Sequence, residues 1–167
     1  MNMEAAITDL VLETFRLNGR LLAAGDALVG DLGLTSARWQ VLGAIALSAV
    51  PLSVAQIARN MGLTRQAVQR LANEMQGDGL VRFAPNPHHQ RAKLVVLTPE
   101  GIVSVAAAEQ RQRPWARELT AGLSTERIAA ALDVLTQLDL RLSKAASAAG
   151  ENFSEEKESR HARVTGT

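Results

Sequence analysis

Ser53-Val-Ala-Gln-Ile-Ala-Arg-Asn-Met-Gly-Leu-Thr-Arg-Gln-Ala-Val-Gln-Arg-Leu-Ala-Asn-Glu-Met75 is the stretch whose reading decides the fold. It describes two helices joined by a tight turn at Gly62, the layout of a helix-turn-helix. Ala58 is small enough to let the second helix pass close. Gly62 can take the positive φ of a sharp turn without a side-chain clash. Val68 then points back into the angle between the helices. Ser53 and Thr64 are suited to cap the two helices, since their hydroxyls can accept from the free amides of a first turn. The second helix offers Arg65, Gln66, Gln69, Arg70 and Asn73 outward, side-chain types that pair with base edges and phosphates. The plainer alternative for these five is a solvated helix face.

Outward from this stretch the chain divides into further helices and one short β segment. Ile7, Leu10, Val11, Leu17, Leu21 and Leu28 recur near helical spacing, so a first long helix is expected from about Glu4 to Val29. Gly30-Asp-Leu-Gly-Leu interrupts it. Thr35 caps a second helix through Trp39, Leu42 and Ile45, and Pro51 separates this from the third. Gly77 and Gly79 close the fourth. The period then changes. Leu80 to Ala84 and Lys93 to Leu97 are short apolar runs either side of Pro85-Asn-Pro-His-His-Gln-Arg, which predicts a small β-hairpin. Thr98-Pro99 starts a fifth helix, in which Pro114 predicts a kink or break. Ser124 caps a last helix whose Ile128, Leu132, Leu135, Leu138 and Leu142 form a seam suited to another helix. From Gly150 onward the chain is polar, with Glu151, Glu155, Glu156 and Glu158, and reads as a mobile tail.

The predicted fold class is therefore mainly α with a small β-hairpin: a winged helix-turn-helix domain flanked by N- and C-terminal dimerisation helices. The expected divisions are residues 1–30 for the first dimerisation helix and 31–98 for the winged domain. Residues 99–149 hold the C-terminal helices, and 150–167 the tail.

Composition narrows the function. The 167 residues carry a formal net charge of only +1, yet the charge is unevenly spread. Between Thr35 and Leu97 stand Arg38, Arg59, Arg65, Arg70, Arg82, Arg91 and Lys93 against Glu74 and Asp78 alone. A basic middle between more acidic flanks suits a module that meets a polyanion locally. The absence of cysteine excludes disulfides, thiolate metal sites and thiol redox sensing. The N-terminus lacks the features of a secretion signal, and the longest apolar run is too short for a membrane span. A soluble cytoplasmic protein with no membrane partner is expected. His88 and His89 on the hairpin loop lack the convergent partners of a metal site, so no metal and no cofactor are expected. No nucleophile–base grouping or phosphate-cradling glycine loop is present, so no catalytic residues are assigned and an enzyme is not expected.

Taken in order, these elements resemble the MarR family of bacterial transcriptional regulators over roughly residues 4 to 147. The likeness is carried by Leu34-Thr-Ser-Ala-Arg-Trp-Gln-Val-Leu, Leu52-Ser-Val-Ala-Gln-Ile-Ala and Leu63-Thr-Arg-Gln-Ala-Val-Gln-Arg-Leu. Gly79-Leu-Val and Arg91-Ala-Lys-Leu-Val-Val-Leu-Thr-Pro-Glu-Gly complete it. The resemblance implies a homodimer whose first, fifth and sixth helices interlock. It also implies a recognition helix in the major groove of double-stranded DNA and a wing arginine, Arg91, in the adjacent minor groove. In the family an acidic residue usually stands two positions before that arginine and braces it; here the position is His89. His88 and His89 could add phosphate contacts.

The residues expected to meet DNA are thus Ser53, Thr64, Arg65, Gln66, Gln69, Arg70, Asn73, His88, His89 and Arg91. For a small-molecule effector, aromatic or anionic, the candidates are Trp39, beside the family's ligand pocket, and Arg16 and Arg20 on the first helix; the plainer alternatives are a core or dimer-interface tryptophan and two surface arginines. The function implied is a sequence-specific, ligand-responsive homodimeric repressor on a palindromic operator. The alternative is a helical dimerisation or protein-interaction module without DNA binding.

Overall fold

Side-chain caps set where most of the helices begin. In the computed structural model, which describes residues 2–89 and 91–165 (side chains only as far as 145), α1 spans Met3–Val29 and α2 spans Ser36–Ala46. The Asn2 side chain accepts from the Glu4 amide, and Thr35 accepts from the Arg38 amide. α3, Val54–Asn60, opens on a capping box: Ser53 Oγ accepts from the Gln56 amide, and Gln56 Oε1 accepts from the Ser53 amide. α4, Arg65–Gly77, opens on Thr64, whose hydroxyl accepts from the Ala67 amide at 3.1 Å. Each cap occupies an amide that the first turn would otherwise leave without a helical partner.

The turn between α3 and α4 is as the sequence predicts. Gly62 has φ 62°, a left-handed conformation that suits glycine. The Leu63 amide reaches back to the Ala58 carbonyl at 2.9 Å. Ala58 and Val68 are both buried, closing the angle between the two helices.

The β segment is larger than the predicted hairpin. β2, Val81–Ala84, and β3, Leu94–Leu97, pair antiparallel with Val81 opposite Leu97 and Phe83 opposite Val95. A further two-residue strand, β1, Leu52–Ser53, lies on the other side of β3, giving the order β1-β3-β2. Ser53 is extended because a cap residue precedes its helix in β conformation, and this leaves Leu52 and Ser53 free to pair with Val95 and Leu94.

Leu42, Ile57, Val68, Met75, Val81 and Val95 are fully buried and form the centre of the core. Burying such side chains contributes roughly 1.5–3 kcal/mol each relative to leaving them in water. Val29 of α1 and Val105 and Ala108 of α5, Pro99–Leu119, belong to the same core. An ion pair between Arg111 and Asp31 adds a polar link between α5 and the turn after α1. Residues 1–117 thus make one compact unit and residues 118–167 a second.

Two expectations meet a different backbone. Of the kink or break expected at Pro114, the break does not occur: Pro114 lies inside a continuous α5. Pro114 and Gln110, the residue whose carbonyl loses its helical donor, are both exposed, so water can serve the freed group. α6 spans Thr125–Thr165, so the helix continues where a polar tail was expected. Ala, Glu, Lys and Arg, all good helix formers, are frequent there. Side chains from 146 onward and residues 166 and 167 lie outside the described part. At the start of α6, Ser124 accepts from the Arg127 amide at 3.3 Å. A backbone hydrogen bond, and then one with Ser124, hold the Glu126 carboxyl below its ordinary value of 4.5.

Candidate nucleic-acid interface

A groove of about 970 Å³ runs along the outward face of α4. The start of α3 forms one wall, with Ser53, Val54 and Ala55; the wing forms another, with Phe83, Arg91, Ala92 and Lys93. α4 supplies Arg65, Gln66, Gln69, Arg70 and Asn73. One helical face therefore carries all five, as their spacing of one and two turns requires. Its opposite face, Val68, Leu71, Ala72 and Met75, is buried. This division keeps the polar side chains in solvent and fixes the helix that holds them.

Within the groove the polar groups already interact. Gln69 Nε2 donates to Asn73 Oδ1 at 2.8 Å, which orients both amides. Arg70 Nε lies 3.9 Å from Glu74 Oε1, and its side chain is three-quarters exposed. Ser53 is buried, its hydroxyl donating to Gln56 Oε1 at 2.8 Å, so its first role is to fix the entry to α3.

The remaining expected contacts lie elsewhere. Thr64 is taken up by its cap and does not line the groove. His88 and His89 are exposed on the wing tip, also outside the groove lining. There the His88 amide donates to Asn86 Oδ1 at 3.0 Å, and the Ala92 amide donates to the His89 carbonyl at 3.0 Å. These turns carry the chain round to Arg91. Glu74 and Gln76 were missed by the sequence reading, though both line the groove. Their spacing on α4 from Arg70 and Asn73 was the available signal.

A second hollow, about 700 Å³, lies between α1, α2 and α5. Trp39 lines it, as the sequence reading allowed, together with Trp115, Arg113, Glu109 and the small residues Gly25 and Gly43. Arg16 and Arg20 do not: both are exposed, and Arg16 pairs with Glu13 at 3.0 Å. A helix of this length has several outward faces, and theirs is not the one turned to α2. Arg113, which the sequence reading did not single out, is the cation that lines this hollow. Among the described residues no group of three or more His, Asp and Glu could hold a metal, and no helix is long and apolar enough to cross a membrane.

Comparison with known proteins places this arrangement. The MarR family profile matches residues 32–92, the segment that contains the helix-turn-helix and the wing as far as Ala92. An uncharacterized protein of Mycobacterium tuberculosis is 39% identical over 109 residues, spanning 65% of this chain and 75% of its own. An E. coli MarR mutant, solved in complex with operator DNA, superposes with a TM-score of 0.70 at 22% identity, covering 83% of this chain and 99% of that one. CouR from Rhodococcus jostii RHA1, solved with p-coumaroyl-CoA bound, gives a TM-score of 0.71 at 24% identity, over 78% of this chain and 92% of that one. With its cap-defined helix-turn-helix, three-stranded wing and flanking helices, the chain belongs to the MarR family of winged-helix transcriptional regulators.

Proposed function

We propose that this protein binds double-stranded DNA sequence-specifically as a homodimer and represses transcription until a small molecule enters the hollow beside Trp39. The observation that carries the proposal is the gathering of Ser53, Arg65, Gln66, Gln69, Arg70, Asn73 and Arg91 around one groove. Arginine and glutamine can each make paired hydrogen bonds to purine edges in the major groove. One helix reads few base pairs, so two copies on half-sites about 34 Å apart give the affinity and specificity that a palindromic operator requires. The operator complex of the E. coli relative supports this reading.

Dimerisation is supported by what a single copy leaves uncovered. Val11, Leu12, Phe15 and Leu22 on α1 are exposed, as are Ile128, Leu132, Leu135 and Leu142 on α6. Apolar stripes of this length are covered in soluble proteins by a partner surface. The effector is proposed to be aromatic or anionic, since Trp39 and Trp115 offer ring faces and Arg113 a positive charge. The CouR complex, with its p-coumaroyl-CoA, is consistent with that class. Such a ligand would act by changing the separation of the two recognition helices. A site of action in the cytoplasm follows from the proposed DNA target.

Selection of bound duplexes from a random pool tests the proposal. A two-fold symmetric motif with half-sites about one turn apart is expected. Sedimentation should show a dimer, and affinity should fall steeply with added salt as counterions compete for phosphates. A monomer, or binding that ignores salt, would overturn the reading.

A further inference from the structure

We propose that Glu74 is a specificity-determining residue: a carboxylate stationed inside a basic groove to penalise DNA held through its phosphates alone. This rests on the DNA-binding reading above. Among the described residues that line the groove, Glu74 is the sole anion, set among Arg65, Arg70, Arg91 and Lys93. Its two oxygens serve two arginines. Oε1 lies 3.9 Å from Arg70 Nε on its own helix, and Oε2 lies 3.9 Å from Arg38 Nε on α2.

The two arginines are not equivalent. The Arg38 side chain is only 18% exposed; it pairs with Asp78 and donates from Nη1 to the Gly33 carbonyl. It is a fixed cation behind Glu74. Arg70 stands at the same 3.9 Å from Glu74 as Arg38 does, but its side chain is 75% exposed. Arg38, tied also to Asp78 and Gly33, therefore stays beside the carboxylate, while the exposed Arg70 is free to leave it for DNA.

Non-sequence-specific binding is almost wholly a phosphate interaction. A phosphate brought to Arg70 must also approach Glu74, and like charges repel. A base edge brings no such charge. The exocyclic amino group of cytosine donates to a carboxylate, so a correctly placed base is tolerated or welcomed where a phosphate is not. Glu74 thus weakens the wrong mode of binding more than the right one. Gln69, Asn73 and Gln76, the neutral neighbours that line the groove with it, cannot do this.

The test uses the full-length protein, a duplex recovered by selection with wild type, and a shuffled duplex of the same length and composition. Glu74→Gln, which keeps the size of the side chain and removes its charge, is expected to tighten binding to the shuffled duplex. It should steepen its salt slope by about one and lower the selected-to-shuffled affinity ratio by roughly fivefold or more. Glu74→Asp, which keeps the charge, should restore most of the ratio. An unchanged ratio and slope in Glu74→Gln, with wild type binding the selected duplex normally, would overturn this inference and leave DNA binding intact. Equal weakening on both duplexes would also overturn it, marking Glu74 as structural. Wild type showing no salt-dependent binding to any duplex would sink the DNA reading and this inference together.

Discussion

Gly25 of α1 and Ser36 of α2 are packed so closely that a Cβ at position 25 would stand 2.5 Å from the Ser36 hydroxyl oxygen. Ser36 cannot readily give way: it is buried, its amide donates to Asp26 Oδ1 at 2.6 Å, and its hydroxyl accepts from Gln40. Gly25→Ala is expected to lower stability by about 1–3 kcal/mol, the usual range for overpacking. Gly43 is the internal control. It lies within α2, with nothing within 4 Å of its would-be Cβ, so Gly43→Ala should raise stability by about 0.5–1 kcal/mol. Urea denaturation of the two variants should move the midpoint in opposite directions.

Ser53 joins a helix cap to a strand. Its side chain completes the box with Gln56 while its backbone pairs with Leu94. Removal of the hydroxyl in Ser53→Ala should cost about 1 kcal/mol of stability. Ser53→Asp should recover most of the cap and can be compared by thermal melting. Because Ser53 also lines the groove, the alanine variant should bind DNA more weakly at temperatures where it is still fully folded.

Arg70 and Arg91 approach the groove from different elements, helix and wing. Replacing either by Ala should weaken binding to a selected duplex by about 1–3 kcal/mol where the side chain reaches bases. A side chain that touches phosphate alone should instead show an equal loss on selected and shuffled duplexes, with the salt slope reduced by about one. Gel-shift titration at several salt concentrations separates these outcomes for each arginine.

Occupation of the hollow beside Trp39 should be visible without DNA. At a hundredfold excess over its Kd, a ligand specific for the folded state raises stability by about 2.7 kcal/mol. Screening aromatic carboxylates by thermal shift should find compounds that also weaken DNA binding. Arg113→Ala should abolish the shift for anionic compounds and spare it for neutral ones. Loss of neither would remove Arg113 from the proposed effector site.

Short-range features were legible in the sequence, and long-range ones were not. Thr35, Ser53, Thr64 and Ser124 each accept from an amide three residues away, so a local pattern sufficed to find them. Gly62 was legible for the same reason. β1 was not, because two residues make a strand only when β3, some forty positions later, lies beside them. Arg38 and Asp78 are likewise forty residues apart, and nothing in either neighbourhood announces the pair. The cation of the hollow escaped for a similar cause. Arg16 and Arg20 are surface residues, as their plainer reading had it, and only the packing of α1, α2 and α5 brings Arg113 to the hollow. Pro114 shows the reverse: the local rule allowed a kink or a break, and the continuous helix spares the break.

Trp39 and Arg38 are consecutive on α2, yet one lines the hollow and the other grips Asp78 beyond the end of α4. Consecutive residues on an α-helix are set about 100° apart around one rigid shaft. A rotation of α2 about its own axis would therefore carry both side chains with it, turning one against the hollow and the other against Asp78.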